Sequence, residues 1–310
     1  MSKRLIAIAA FVVCIQCGGG GTPSGPTPSP GSPPNSTPPG TNPPTPPGPP
    51  SAPQVFVGAG DIGWCGSPGP EQTARLLDGI GGTVFTAGDN AYFSGTRQEY
   101  QNCYDPSWGR HKARTRPVPG NHEYESAGAG PYFEYFGTAA GIAGAGYYSF
   151  QLGDWHAVAL NSNVAAADGS AQAQWLRADL AAARSACTIA YWHNPLFSSG
   201  PNGNSAHMRD TWRILYDAGV DVVVNGHDHL YERFAPQDPD GRPDAARGIR
   251  EFIVGTGGAS LYTFVTPRAN SEVRMPNTYG VLKLTLQSGS YQWQFIEVAG
   301  GGDSGAGTCH

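Results

Sequence analysis

No run of like charge, no internal repeat and no apolar stretch long enough to cross a bilayer as a permanent helix occurs in these 310 residues. The first absence disfavours a nucleic-acid partner: nineteen Lys and Arg, less Lys3 and Arg4, leave seventeen basic against twenty-four acidic residues, an acidic remainder with no basic patch. The second excludes a repeat array. The third turns the apolar run Leu5 to Ile15, behind Lys3 and Arg4, into an export signal rather than a spanning helix. Charge is missing altogether between residues 18 and 53, where Gly, Pro, Ser and Thr dominate. Such a stretch cannot build a core. It reads as an extended stalk at ~3.1 Å per residue, with a reach of roughly 100 Å.

The boundaries that follow are an export segment at 1–17, a disordered linker at 18–53, a catalytic-sized domain at 54–299 and a flexible glycine-rich tail at 300–310. Cys14 and Cys17 close the export segment, and either lipidation of one of them or simple signal cleavage is consistent with it; Val13 and Gln16 before them are not the small residues a lipidation site wants. Both routes place the domain outside the cytoplasm, secreted or tethered to a membrane by an N-terminal lipid, and no protein partner is implied. Cys65, Cys103, Cys187 and Cys309 remain, and an oxidising compartment allows three pairings. Cys65 with Cys103, and Cys187 with Cys309, is the favoured set, and four free thiols the alternative.

Within the domain one local pattern recurs: a β-branched or apolar run followed closely by a polar, metal-capable residue. Val55-Phe56-Val57 leads to Asp61, Val84-Phe85-Thr86 to Asp89, Ile189-Ala190-Tyr191-Trp192 to His193, and Val222-Val223-Val224 to His227. Runs of this kind are strands buried on both faces, as in sheets covered by helices. Helical patterns lie between them at 71–77, 172–183 and 208–217. Near the end, strand-like segments at 249–254, 279–286 and 291–298 appear, the last two joined by Ser288-Gly289-Ser290. Another hairpin turns at Gly153-Asp154. The class is α/β with added antiparallel strands, and open α/β sheets put their sites at strand ends.

The polar residues at those ends form five blocks: Gly60-Asp61-Ile62-Gly63, Gly88-Asp89-Asn90-Ala91-Tyr92, Gly120-Asn121-His122-Glu123, His193, and Gly226-His227-Asp228-His229. Each block alone is a weak signal. In this order they resemble the purple acid phosphatases among the calcineurin-like metallophosphoesterases, over essentially the whole stretch from Val55 to about Val298. One small departure is Ala190, where the fourth block usually carries Val. The resemblance implies a four-layer α/β/β/α sandwich with mixed sheets and a dinuclear Fe(III)–M(II) site, the divalent ion being Zn, Mn or Fe. It further implies hydrolysis of phosphate monoesters by a metal-bound hydroxide. Asp89 would bridge both ions, Asp61, Tyr92 and His229 completing one site and Asn121, His193 and His227 the other.

Gly63 stands where related enzymes carry a His ligand, and Tyr92 supplies the replacement; a phenolate is a hard anion that suits ferric iron. His122 resembles the family's histidine that stabilises the transition state or donates a proton, and His207 is a second candidate acid or else a solvent-facing residue. His111 and His156 fit no block and read as structural. Tyr231-Glu232-Arg233 reads as support for the metal loop and Gly255 to Gly258 as a turn beside it. Trp64, Tyr124 and Tyr132 belong either to a substrate cleft or to the core. The substrate class implied is a phosphate ester. A phosphodiesterase or nucleotide hydrolase on the same site and an inactive surface binding module are the alternatives.

Overall fold

Runs of valine, isoleucine and aromatic residues become strands here because both of their faces find cover. The computed structural model describes residues 51–310, so the expected signal at 1–17 and all but the end of the expected linker at 18–53 lie outside the described residues. In chain order the elements begin with β1 (Gln54–Ala59), α1 (Gly69–Asp78), β2 (Thr83–Ala87), the single turn α2 (Arg97–Glu99), β3 (Thr115–Val118) and α3 (Gly130–Phe136). Next come β4 (Tyr148–Leu152), β5 (Trp155–Ala159), α4 (Ala171–Ala182), β6 (Cys187–Tyr191), α5 (Arg209–Asp217), β7 (Val222–Asn225), β8 (Tyr231–Phe234) and β9 (Arg250–Val254). The last stretch is strand only: β10 (Ser271–Met275), β11 (Gly280–Gln287), β12 (Ser290–Glu297) and β13 (Gly302–Thr308).

These strands form two mixed sheets, one ordered β13-β12-β11-β1-β2-β3 and the other β10-β8-β9-β7-β6-β5-β4. β1, β2 and β3 are mutually parallel, as are β5, β6, β7 and β9, and the hairpins β4–β5 and β11–β12 fall where the turn residues predict them. Aromatic rings join the two sheets face to face. Phe56 of β1 lies 5.4 Å from Tyr191 of β6, and Phe252 of β9 lies 5.7 Å from Trp293 of β12. Truncating a fully buried aromatic of this kind costs roughly 3–5 kcal/mol, so the sheets are held firmly in register. A second core of Leu176, Trp192, Trp212 and Leu215 packs α4 and α5 on the far side of the second sheet. The architecture is the expected α/β/β/α sandwich. Among the described residues no helix is long and apolar enough to cross a membrane.

The expected flexible tail at 300–310 is instead an edge strand. Residues Gly302 to Thr308 pair along β12, and glycines, poor strand formers by themselves, are required because aromatic rings lie over them. A Cβ at Gly307 would sit 2.5 Å from the Tyr291 ring. Asp303 adds specific anchoring by accepting from Tyr231 Oη at 2.7 Å, Arg233 Nε at 2.7 Å and Trp293 Nε1 at 3.0 Å.

Both favoured disulfides are present, Cys65–Cys103 and Cys187–Cys309. The second ties the segment after β13 to β6 in the opposite sheet and closes a separation of 122 residues. Chain entropy for a loop of that size is worth about 4–5 kcal/mol. Cys309→Ser is therefore expected to lower unfolding stability by several kcal/mol, measured by urea denaturation under non-reducing conditions; an unchanged midpoint would show that the bond constrains nothing.

Candidate metal centre

Four of the five blocks place their polar residue at the same offset. Asp61, Asp89, His193 and His227 each stand two residues beyond the end of β1, β2, β6 and β7, and Asn121 stands three beyond β3. Parallel strands end on one edge, so the residues just past them are delivered to one place. The local backbone is bent hard to do it. Asp61, Asp89 and His227 have φ of 61°, 49° and 72°, in the left-handed region that non-glycine residues enter at a cost of about 1–3 kcal/mol each. Room for the convergence comes from glycine, as a Cβ at Gly226 would lie 2.6 Å from Asp61 Oδ2.

The seven side chains fall into two groups that share Asp89. In one, Tyr92 Oη lies 2.8 Å from Asp61 Oδ1, 3.0 Å from Asp89 Oδ2 and 3.1 Å from His229 Nε2, while His229 Nε2 lies 3.2 Å from Asp61 Oδ1. In the other, His193 Nε2 lies 3.1 Å from Asp89 Oδ2, 3.1 Å from Asn121 Oδ1 and 3.2 Å from His227 Nδ1. The donor atoms of Asp89, His193 and His227 all lie within 4.8 Å of one another. His193 donates its other ring nitrogen, Nδ1, to the Ala87 carbonyl at 2.8 Å, and His229 donates Nδ1 to Ser260. That arrangement turns both Nε2 atoms inward, as the outer partners of metal-ligating histidines do.

Electrostatics show what the cluster needs. Burial would raise Asp61, but His229 and His193 beside it hold its carboxyl below the usual range, and His193 does the same for Asp89. Burial would lower His193, yet Asp89 and Asp61 hold it at about 9, whereas burial and then the charge of His193 push His227 down to about 4. Tyr92 is driven well above its ordinary value by burial and then by Asp61 and Asp89. Inward-facing acceptors on carboxylates, an amide and imidazoles require positive charge between them, and a proton on His193 is the minimal supply. Cations would satisfy the same atoms and displace protons on binding, so the donor set fits a metal pair.

Around this cluster, His122 is partly exposed; its Nδ1 donates to the Phe93 carbonyl, and its Nε2 stands 3.8 Å from Asp89 Oδ2. His207 is not brought in. It lies exposed just ahead of α5 with Nε2 at 3.1 Å from the Ser162 carbonyl, and it contacts none of the seven. The reason is local: residues 194–200 stay buried after His193, and only the stretch 201–207 just ahead of α5 comes to the surface, so the His207 side chain faces solvent. His111 packs against the Ala74 carbonyl at 3.2 Å and His156 against Asp179 at 2.6 Å, both structural as expected. Tyr132 is fully buried in the core and donates to the Pro117 carbonyl, and the half-buried Tyr124 accepts from the Asn161 amide, so neither hydroxyl engages the cluster, whereas Trp64 lines a cleft beside Tyr92.

Glu123 is a residue whose part the sequence did not disclose. Its carboxylate accepts N–H from Asn90 at 2.9 Å, Ala91 at 3.2 Å and Gly120 at 2.7 Å, and the Tyr100 hydroxyl at 3.1 Å, so one buried acid clamps the loops carrying Asp89, Tyr92 and Asn121. Burial, then Asp89, raises it to about 7. Of the three residues read as support for the metal loop, Tyr231 and Arg233 bind Asp303 of β13 instead, and only Glu232 reaches toward that loop, indirectly: it accepts the Ser199 N–H at 2.9 Å, and the neighbouring Ser198 hydroxyl donates to Asp228, between His227 and His229. Tyr262 is a further contact without a sequence signal, its ring stacked on His229 at 4.1 Å and 7°.

Residues 50–231 match the family model described as calcineurin-like phosphoesterase. The chain belongs to that family. Among calcineurin-like phosphoesterases it is similar to purple acid phosphatase 15 of Arabidopsis thaliana, 29% identical over 230 residues that make up 60% of this chain and 42% of the relative. Purple acid phosphatase 18 of the same plant is 30% identical over 242 residues, 68% of this chain and 51% of the relative. The chain thus spans about half the length of the curated relatives it matches. In structure it is similar to purple acid phosphatase PPD1 from yellow lupin (Lupinus luteus) seeds, with TM-score 0.70 and 21% identity over 83% of this chain and 54% of that one.

Proposed function

We propose that this calcineurin-like phosphoesterase hydrolyses phosphate monoesters outside the cytoplasm, around one ferric ion and one divalent ion of zinc, manganese or iron. The observation that carries the reading is the division of seven side chains into two groups joined by Asp89. Asp61, Tyr92 and His229 with Asp89 would hold the ferric ion, and Asn121, His193 and His227 with Asp89 the divalent one. A phenolate is a hard anionic ligand that forms most readily on a very acidic cation, which favours iron(III) in the first group. Bound there, such a pair supplies Lewis acidity to the phosphoryl oxygens and acidifies a water for attack.

The chain's own residues do the rest. Two carboxylates and one phenolate only partly offset a trivalent and a divalent charge, so the centre attracts a phosphate dianion. His122, its Nδ1 engaged by the Phe93 carbonyl, keeps Nε2 on the side of the cluster, where a protonated ring can give its proton to the leaving alkoxide. Export is supported by two disulfides, which persist in oxidising compartments.

Chelation is expected to remove hydrolysis of a phosphate monoester, and iron added back with zinc or manganese to restore it. A metal-loaded protein that turns over neither mono- nor diesters would overturn the reading in favour of a binding module. Faster diester than monoester hydrolysis would move it to a phosphodiesterase.

A further inference from the structure

A cleft of ≈ 470 Å³ opens beside Tyr92, within the roughly 300–1,000 Å³ typical of small-molecule sites. We propose that it receives a neutral, planar, hydrogen-bonding ring carried by the leaving alcohol, so that nucleoside monophosphates are preferred over simple sugar phosphates. The proposal rests on the phosphomonoesterase reading and adds a substrate class to it.

Continuity with the metal centre comes first. Tyr92 belongs both to the lining of the cleft and to the cluster, where its hydroxyl lies among Asp61, Asp89 and His229, so the opening is one side chain away from the place a phosphoryl group would occupy. Two further rings form the walls. Phe93 is 53% exposed and meets Trp64 edge-on at 4.9 Å, which leaves an aromatic face open to a ligand. Both rings lie 6.1 Å from the Tyr92 ring, so the three aromatic residues form one continuous wall.

The polar groups narrow the ligand. Gln98 and Asn102 line the cleft with side-chain amides that no described residue engages, offering both donors and acceptors to the edge of a heterocycle. Glu99 is in the lining too, but its carboxylate is spent on the backbone N–H groups of Phe93, Ser94 and Thr96 and on the Thr96 hydroxyl, which fixes the loop that carries Phe93. Among the described residues no lysine or arginine lines the cleft, so a second phosphate on the leaving group would meet no counter-charge from them. The Cys65–Cys103 bond links the Trp64 wall to the Asn102 wall and keeps the opening formed in advance. A larger cleft of ≈ 880 Å³ carries Arg110, Lys112 and Arg116 but includes no residue of the metal cluster.

Adenosine 5′-monophosphate and ribose 5-phosphate share one primary alkoxide leaving group and differ in the base, so their comparison isolates the subsite. With the metal-loaded wild type, kcat/KM is expected to favour the nucleotide by about tenfold, mostly through KM, as one stacked base contributes. Phe93→Ala is expected to bring the ratio close to one. Equal kcat/KM in the wild type, or a ratio that survives Phe93→Ala, overturns the subsite. Calorimetric binding of the same two compounds separates the two readings. If neither is hydrolysed yet the nucleotide binds more tightly and loses that advantage in Phe93→Ala, the subsite stands and the phosphomonoesterase reading falls.

Discussion

Asp89→Ala is expected to slow hydrolysis of phosphate esters on the order of 10³-fold and to leave protein that retains neither cation through dialysis. The reason is that Asp89 alone belongs to both groups of donors, so its loss removes one anionic ligand from each, together with one of the two carboxylates beside the Tyr92 hydroxyl. Its other oxygen accepts the His122 N–H at 2.9 Å, which orients the candidate proton donor. Asp89→Asn is the informative companion, because it keeps that acceptor and the side-chain shape while removing the charge. Elemental analysis and turnover should fall together in both variants, with thermal melting confirming that each remains folded. Full metal content in Asp89→Ala would mean that the two groups are not bridged.

The second large effect is spectroscopic. Iron-loaded wild type is expected to absorb visible light through charge transfer from the Tyr92 phenolate, and Tyr92→Phe to lose that band entirely. The variant removes one oxygen and leaves the ring packed against Trp64 and His122. The effect follows from the ligand's chemistry: a phenolate is a hard anion that suits ferric iron, and the band needs the phenolate oxygen that the Phe side chain lacks. A colourless iron-loaded wild type would defeat the ferric assignment while leaving phosphoester hydrolysis by divalent ions intact.

Most of the candidate site was legible because four of its members, Asp61, Asp89, His193 and His227, follow strands whose apolar runs announce them. The runs before Asp61, Asp89, His193 and His227 are uninterrupted since both faces of β1, β2, β6 and β7 are covered. β3, with Pro117 inside its four residues, and the edge strand β10, half in solvent, carry no such run. β13 was hidden for a different reason: its pairing depends on rings from β12 that cover its glycines, a contact between distant residues with no local pattern. Glu123 stands in plain view within its block, but its service to two loops depends on backbone N–H groups that every residue possesses. The choice among Trp64, Tyr124 and Tyr132 was likewise open, because an aromatic residue in a loop does not declare which way it faces. His207 fell outside the cluster because its position depends on the course of an irregular connection.

The donors come from opposite halves of the molecule: Asp61, Asp89, Tyr92 and Asn121 leave one sheet, and His193, His227 and His229 leave the other. Bound ions would therefore act as rivets across a seam, and their occupancy and the mechanical coherence of the sandwich would become one equilibrium. Damage to the packing far from any ligand, at Phe56 or Phe252 for instance, would then announce itself as leakage of metal before the fold itself gave way.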